Sequence, residues 1–349
     1  MKLGKIPENV LKRSVLRQLK TKNSEVKHGA GMGEDCAVFA FSGREDLVTC
    51  MQEGAVSVNP TEPGELTMGT LIQKCANNLA CGGAGLTAVL ISLILPESAE
   101  ESEIKEIMAA AERQCALLSA EIAGGQTKIS SAVTRPVAVV TGYGKAFCSE
   151  TVEKKAGEEK DPWYSGKAVP GEDIVVSKWI GLEGTAILAK RNKEKLLARY
   201  PAYFIEEAAG FDRYLSVVPE AAAAVKSGVN AMHDASEGGI FGALRELAEK
   251  AGVGLTIDLK KLPLRQETVE VCECCQVNPY ELASGGCLIM TAKDGQSLVK
   301  ALEAEGIPAA VVGRTTDSND RIILNEDEIR FLDRAGQDAV YVNNEEGVN

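Results

Sequence analysis

The sequence predicts an α/β (α+β) protein of two domains, each a sheet covered by helices. Short apolar, β-branched runs alternate with segments of helical spacing from residue 36 to residue 314. The longest strongly apolar run, residues 86–95 (LTAVLISLIL), suits a buried strand and is far too short to cross a bilayer. Residues 149–169 then change character, with the charged run Val152-Glu-Lys-Lys-Ala-Gly-Glu-Glu-Lys-Asp161 followed by Pro162 and Gly166. That break predicts a linker between an N-terminal domain, 1–148, and a C-terminal domain, 170–349.

Each element follows from local spacing. Residues 7–20 place Val10, Leu11, Val15 and Leu19 on one helical face. Strands are expected at 36–41, 47–51 and 55–58, the last two separated by a turn at Gln52-Glu53-Gly54. The helix after Pro63-Gly64 turns Met68, Leu71, Ile72, Cys75 and Leu79 inward and stops at Gly82-Gly83. A helix with an acidic start follows the strand at 86–95, with Ile104, Ile107, Met108, Ala111, Cys115 and Leu118 inward. A second glycine turn is expected at 123–128, before a strand at 136–145. The second half reads as strands at 173–177, 253–258, 286–292 and 309–314, with helices opening after Gly181, at 193–199, 204–209 and 220–226, after Gly239, and at 295–305.

The 349 residues give each of two domains room for its own core, and 45% apolar with 25% charged residues is the composition of a globular chain. A formal charge of −12 disfavours nucleic acid and anionic membranes as partners, because both reward clustered Lys and Arg. Residues 1–13 hold Lys2, Lys5, Lys12 and Arg13 with no apolar stretch between them, so a cytoplasmic protein is expected. Its ten cysteines are then expected as reduced thiols, mostly buried. Cys272 and Cys275 stand at zinc-like spacing, but no second Cys or His pair follows at a matching distance. With two histidines and no Gly-x-Ser-x-Gly elbow, a hydrolase triad has little material, and no Walker A lysine motif is present.

The chemistry points to glycines beside carboxylates. In His28-Gly-Ala-Gly-Met-Gly-Glu-Asp-Cys-Ala-Val38, Gly29, Gly31 and Gly33 would let backbone N–H groups approach phosphate oxygens, and Glu34 and Asp35 offer hard oxygens suited to Mg²⁺. An ordinary turn with a solvated acidic pair explains the same residues. A Rossmann fingerprint does not, since the glycines run into a strand rather than a helix. In Met232-His-Asp-Ala-Ser-Glu-Gly-Gly239, Asp234 or Ser236 can cap the following helix, and the N–H groups at Gly238 and Gly239 can also hold an anion.

The order of several motifs resembles the aminoimidazole ribonucleotide (AIR) synthetase superfamily, and within it the hydrogenase expression/formation branch. They are Gly4-Lys-Ile-Pro7, Gly33-Glu-Asp-Cys-Ala-Val38, Asn77-Asn-Leu-Ala80, Gly124-Gly-Gln-Thr-Lys128, Thr141-Gly-Tyr-Gly144, Pro170-Gly-Glu-Asp-Ile-Val-Val-Ser177, Gly181-Leu-Glu-Gly184, Ala231-Met-His-Asp-Ala-Ser-Glu-Gly-Gly239 and Ala251-Gly-Val-Gly254. The resemblance implies an N-terminal sheet that forms a dimeric barrel with its twin, a C-terminal sheet covered by helices, and ATP as cofactor. It places ATP near Gly29, Gly31, Gly33, Asn78, Gly124, Gly125, Gln126 and Thr127, with Ser236, Gly238 and Gly239 contributing from the second domain. Asp35, Lys128, His233 and Asp234 take catalytic roles, Lys128 neutralising phosphate charge while His233, Asp234 and Ser236 face a small-molecule substrate.

The family's magnesium ligands fall at Asp35, Glu53, Asn78 and Gln126, with Glu34 adjacent; only Asp35 keeps the aspartate. Weak Mg²⁺ binding is therefore expected. The sequence ends Val340-Tyr-Val-Asn-Asn-Glu-Glu-Gly-Val-Asn349, without the terminal cysteine of the hydrogenase branch, so the cyanide-forming reaction is not expected. Two functions remain: ATP-dependent phosphoryl transfer or activation of a small substrate, and nucleotide binding without turnover in a regulatory protein. A partner protein is compatible with either.

Overall fold

The computed structural model describes residues 26–28, 31, 33, 37–39, 46–60, 62, 64–148, 162–333 and 336–341. The expected helix at 7–20, the Gly4–Pro7 motif, the charged run 152–161 and site residues Gly29, Glu34 and Asp35 lie outside them.

The first half contains β1 (Val26–His28), β2 (Ala37–Phe39), β3 (Leu47–Val56), β4 (Glu65–Leu66), helix α1 (Met68–Cys81), β5 (Ala84–Leu95), α2 (Glu101–Leu117), β6 (Glu121–Ile129), β7 (Val137–Cys148) and β8 (Pro162–Trp163). The main strand order is β1-β2-β3-β7-β5-β6, with β4 added to β3 and β8 to β7. Helices α1 and α2 cover one face. Met68, Leu71, Ile72, Cys75 and Leu79 of α1 are buried with Ile107, Ala111 and Cys115 of α2, against Val89, Ile91, Leu93 and Val140 of the sheet. That is the inward stripe the spacing predicts, and it explains why an amphipathic α1 forms here. Its N-cap is Thr67, whose side chain accepts a hydrogen bond from the Thr70 N–H at 3.0 Å.

Two expected turns are strands instead. Gln52, Glu53 and Gly54 lie inside β3, opposite Val140, Val139 and Ala138 of β7. The long β7 partner supplies an unbroken ladder, and its hydrogen bonds override the local turn preference. Likewise Gly124 to Lys128 lie in β6, paired in parallel with Leu90 to Ile94 of β5.

The second half contains β9 (Asp173–Ser177), α3 (Leu182–Arg191), α4 (Lys193–Leu197), α5 (Ala202–Ala209), α6 (Val218–Lys226), β10 (Ala231–Ala235), α7 (Gly239–Ala251), β11 (Gly254–Asp258), α8 (Gln266–Cys275), β12 (Cys287–Ala292), α9 (Gly295–Ala304), β13 (Ala309–Thr316), β14 (Arg321–Asn325) and β15 (Glu328–Phe331). The sheet runs β10-β12-β9-β13-β11-β14-β15, antiparallel except at β11–β14. Ile240, Ala243, Leu244 and Leu247 of α7 pack on one face. On the other, α6 and α9 pack together with Ala80 and Cys81 of α1, so one core cluster spans both halves. Asn77 of α1 strengthens that seam: its Nδ2 donates to the Leu215 carbonyl at 2.7 Å, and its Oδ1 accepts from the Val217 N–H at 3.0 Å.

Cys272, Cys274 and Cys275 lie in α8, buried among Leu188, Leu196 and Ile205. The eight cysteines whose side chains are described are all buried free thiols. No helix among the described residues is long and apolar enough to cross a membrane.

Candidate functional site

A cleft of about 510 Å³ opens where the two halves meet. Strand β3 contributes Met51 to Gly54, helix α1 contributes Lys74 and Asn78, and helix α3 contributes Glu183 and Ile187. The corner between β10 and α7 contributes Asp234, Ser236 and Glu237, and residues 338–341 form a further wall through Asp338, Val340 and Tyr341. Lys74 and Asn78 are four residues apart, and that helical spacing puts both on the cleft face of α1. A narrower extension of about 140 Å³ shares Glu65, Glu183 and Ile187 and adds Thr67, Thr70, Lys190 and Arg191.

The described lining is strongly acidic, with Glu53, Glu65, Glu183, Asp234, Glu237 and Asp338 against one lysine. Lys74 Nζ stands 2.7 Å from Glu183 Oε1 and 2.9 Å from Oε2, with side-chain exposures of 16% and 5%. Burial pulls the Lys74 pKa down, but the attraction and hydrogen bond of Glu183, then Glu237 and Asp234, outweigh it and leave the pKa above its ordinary value. Gly285 leaves room for Glu183, since a Cβ there would lie 2.4 Å from Glu183 Oε2.

Helix α7 starts in a left-handed double-glycine turn, with φ of 85° at Gly238 and 65° at Gly239. Its expected cap by Asp234 or Ser236 is not what forms. The Gly238 N–H donates to Asp338 Oδ2 at 2.7 Å, and the Gly239 N–H donates to the Ser236 carbonyl at 3.2 Å. Asp338 also accepts from the N–H groups of Ala283 (3.2 Å) and Val340 (2.9 Å). Burial pushes its carboxyl up to about 6 despite these three amide donors. The Tyr341 hydroxyl donates to Glu237 Oε1 at 2.8 Å, and burial, reinforced by Glu237, raises its pKa.

The structure gathers some of the sequence-predicted residues and separates others. Glu53, Asn78, Asp234 and Ser236 line the cleft, with Gly238 and Gly239 just beyond Glu237 at the head of α7. His233 takes the opposite side of β10 from Asp234: its ring lies against α7, with Nε2 3.0 Å from Glu246 Oε2. His233 is thus not among the described residues that line the cleft. Gly124, Gly125, Gln126, Thr127 and Lys128 lie on the exposed strand β6 and are not part of the lining. Gly33 sits against α7, where a Cβ would approach the Glu246 carbonyl oxygen to 2.9 Å; Gly31 is half-buried.

Magnesium can be tested against these donors. Among the described residues no group of three or more His, Cys, Asp or Glu side chains could hold a metal ion. Asn78 offers only a neutral carbonyl, Gln126 is outside the cleft, and an ammonium already sits on Glu183. The described donor set does not fit a divalent cation.

Residues 33–146 match the N-terminal domain of AIR synthase related proteins, and residues 169–325 match their C-terminal domain. The chain belongs to the AIR synthase related family. Hydrogenase-maturation proteins of this family are among those it is similar to. It is 25% identical to a hydrogenase expression/formation protein of Methanocaldococcus jannaschii over 92% of this chain and 91% of that one. It is 30% identical to the carbamoyl dehydratase HypE of Rhodobacter capsulatus over 68% of this chain and 66% of that one. Among solved structures, HypE from a HypE–HypF complex superposes with a TM-score of 0.71 at 19% identity, covering 93% and 99% of the two chains. HypE in complex with ATP superposes with a TM-score of 0.67 at 18% identity, covering 96% of each. These likenesses establish the fold of the AIR synthase related chain.

Sequence reading missed Lys74, Glu183, Glu237, Asp338 and Tyr341. A polar stripe in α1, with Gln73, Lys74, Asn77 and Asn78 recurring at helical spacing, carries a signal for Lys74. Nothing local marks Asp338, because its amide partners come from Gly238 and Ala283 as well as Val340.

Proposed function

We propose that the chain is an ATP-binding enzyme of its family, transferring a phosphoryl group to, or otherwise activating, a small substrate in the cleft between the two halves. The cleft is the observation that carries this reading. Its volume suits a nucleotide-sized ligand, and both halves supply polar groups to it, in a fold shared with a HypE crystallised with ATP. Phosphoryl transfer depends on positioning and electrostatics. Lys74 in the cleft and Lys190 and Arg191 in its extension are the cationic groups suited to phosphate oxygens. Asp234 is placed to accept a proton from a substrate hydroxyl or amine, beside Ser236.

Gly29, Gly31, Gly33, Glu34 and Asp35 enter this reading through the resemblance, as does a homodimer built through the N-terminal sheet. Among the described residues β6 has no strand on its outer edge, and this edge with exposed Met51, Leu90 and Ile129 supports a second copy of the chain there. It would bring β6, with Gln126 and Lys128, near another copy's cleft. Light scattering tests the dimer: a monodisperse species of about 37 kDa at high concentration would remove it. A partner protein is supported by the HypE–HypF complex among the structural neighbours.

The second reading is a nucleotide-binding protein without turnover, favoured by the poor fit of the described donors to Mg²⁺. Calorimetric titration with ATP, with and without Mg²⁺, separates the two. Binding with ADP release supports the enzyme, binding without turnover supports the regulatory protein, and no binding removes nucleotide from both.

A further inference from the structure

Off the main cleft, the narrower extension of about 140 Å³ has room for on the order of ten water-sized groups, the size of a small metabolite. Helix α3 builds one wall, because Glu183, Ile187 and Arg191 recur at four-residue spacing along a single face. Leu66, Ile187 and Leu215 make the lining partly apolar, and Thr67 and Thr70 bring hydroxyl groups from the start of α1. Most charges in it are met. Lys190 stands 2.6 Å from Asp212, Lys74 stands 2.7 Å from Glu183, and Arg135 stands 3.2 Å from Glu65. Arg191 differs: half-buried at the end of α3, it forms no ion pair among the described residues. Its Nη1 donates to the Val340 carbonyl at 2.9 Å, which orients the guanidinium, while its Nε–H is withdrawn from water with no acceptor. Arg321 and Arg265, also partly withdrawn from water, each hold a carboxylate, 3.0 Å from Glu249 and 3.1 Å from Glu267. Burial works against the charge of Arg191, opposed by the attraction of the exposed Glu62. An under-coordinated guanidinium in a pocket costs stability, and such local violations concentrate at functional sites.

We propose that the extension binds a small carboxylic acid, with its carboxylate on the Arg191 guanidinium and its apolar body against Leu66, Ile187 and Leu215. The planar fork of an arginine matches the two oxygens of a carboxylate. One unmet positive charge also matches one negative charge. A phosphomonoester carries nearly two near neutral pH, and the second would find no further cation in the described lining, since Lys190 and Lys74 already hold carboxylates. The extension shares Glu65, Leu66, Glu183 and Ile187 with the main cleft, so an acid in the one adjoins a nucleotide in the other. The carboxylate pocket rests on Arg191 and its surroundings; that its occupant is the small substrate rests on the ATP-dependent reading above. Arg191 is then a binding residue that selects the class of substrate, and it takes no part in the transfer itself.

Ligand-observed NMR titrations of the intact chain test it, with hexanoate, hexanamide and hexyl phosphate as probes of one chain length and three charges. Hexanoate should bind the wild type at least about tenfold more tightly than either of the others. Arg191→Gln, which removes the charge, should bring hexanoate and hexanamide to within about twofold of each other. Arg191→Lys, which keeps the charge without the planar fork, should retain part of the preference. The comparison is a ratio within one protein, so a general loss of binding does not mimic the expected result. Should Arg191→Gln not fold, Ile187→Trp, which fills the extension and leaves every charge in place, should weaken hexanoate at least about tenfold. Equal binding of hexanoate and hexanamide to the wild type overturns the proposal, as does an unchanged preference in Arg191→Gln. Tighter binding of hexyl phosphate, or no binding of hexanoate at about 10 mM, overturns it as well. The ATP titration is a separate reading. Hexanoate selectivity without ATP binding keeps the pocket and removes phosphoryl transfer, whereas ATP binding without that selectivity removes the pocket and keeps the nucleotide.

Discussion

Gly124-Gly125 on β6 and Gly238-Gly239 before α7 are both double glycines beside polar residues, yet they hold their backbones for different reasons. On β6 the chain is nearly extended, and Gly125 is pressed on the neighbouring strand: a Cβ there would lie 1.9 Å from the Ile91 carbonyl oxygen. Before α7 the pair turns left-handed, and a Cβ on Gly239 would lie 2.5 Å from the Tyr280 carbonyl oxygen and 2.8 Å from the Leu282 nitrogen. The first pair permits close strand packing at a sheet edge. The second builds a corner that aims Asp234, Ser236 and Glu237 into the cleft while Asp338 holds its amide. Glycine content therefore does not separate a ligand loop from a packing requirement; the neighbouring backbone does.

The largest effect expected from this contrast is on stability. Gly239→Ala should cost about 3 kcal/mol or more, because a left-handed residue is wedged against a packed segment that cannot retreat. Gly125→Ala meets a closer obstacle but lies on an edge strand that can lift away, so a cost of about 1–2 kcal/mol is expected. Urea unfolding measures both, and equal losses would show that β6 is as constrained as the α7 corner.

Removing the support of the corner comes next. Asp338→Ala strands the N–H groups of Gly238, Ala283 and Val340 and should cost about 2 kcal/mol. A loss under about 0.5 kcal/mol in thermal or chemical unfolding would mean that water replaces the carboxylate without penalty.

A pH series sharpens the same point with a smaller effect. Burial raises the Asp338 pKa to about 6, above the ordinary 3.8, so the folded chain takes up this proton before the unfolded chain does. Its contribution to stability therefore rises as pH falls from about 6 toward 3.8. Glu267, lowered chiefly by its hydrogen bond from Arg265, has the opposite sign and loses stabilisation on acidification. The difference in unfolding free energy between wild type and Asp338→Asn should grow in favour of the wild type between pH 6 and 4. A flat difference would place the carboxyl at its ordinary value.

The smallest effect is expected at β6. Lys128 lies on an exposed strand, so Lys128→Ala should change the stability of the chain by less than about 0.5 kcal/mol. A larger loss at concentrations where light scattering reports a dimer, absent on dilution, would place Lys128 in the contact between copies.

The sequence by itself determined the elements whose burial is periodic. The inward face of α1, the inward residues of α2, the buried strand β5 and, in the second half, strands β9, β11, β12 and β13 were readable, because each depends on side chains that repeat along one segment, whereas β10, α8, β14 and β15 were not read. The motif order also carried the family, and four residues it singled out, Asn78, Asp234, Ser236 and Glu53, line the cleft.

Tertiary structure alone decided the rest. Residues 52–54 and 123–128 became strands because β7 and β5 offered ladders that local turn preference could not outweigh. His233 turned away from the cleft because adjacent residues on β10 point to opposite sides and Glu246 lies on its side. The charge of the cleft was decided at long range: Lys74 meets Glu183 across 109 residues of chain, and Asp338 reaches back 100 residues to Gly238. Hydrogen bonds and ion pairs depend on where the backbone returns in space, and local spacing does not encode that return.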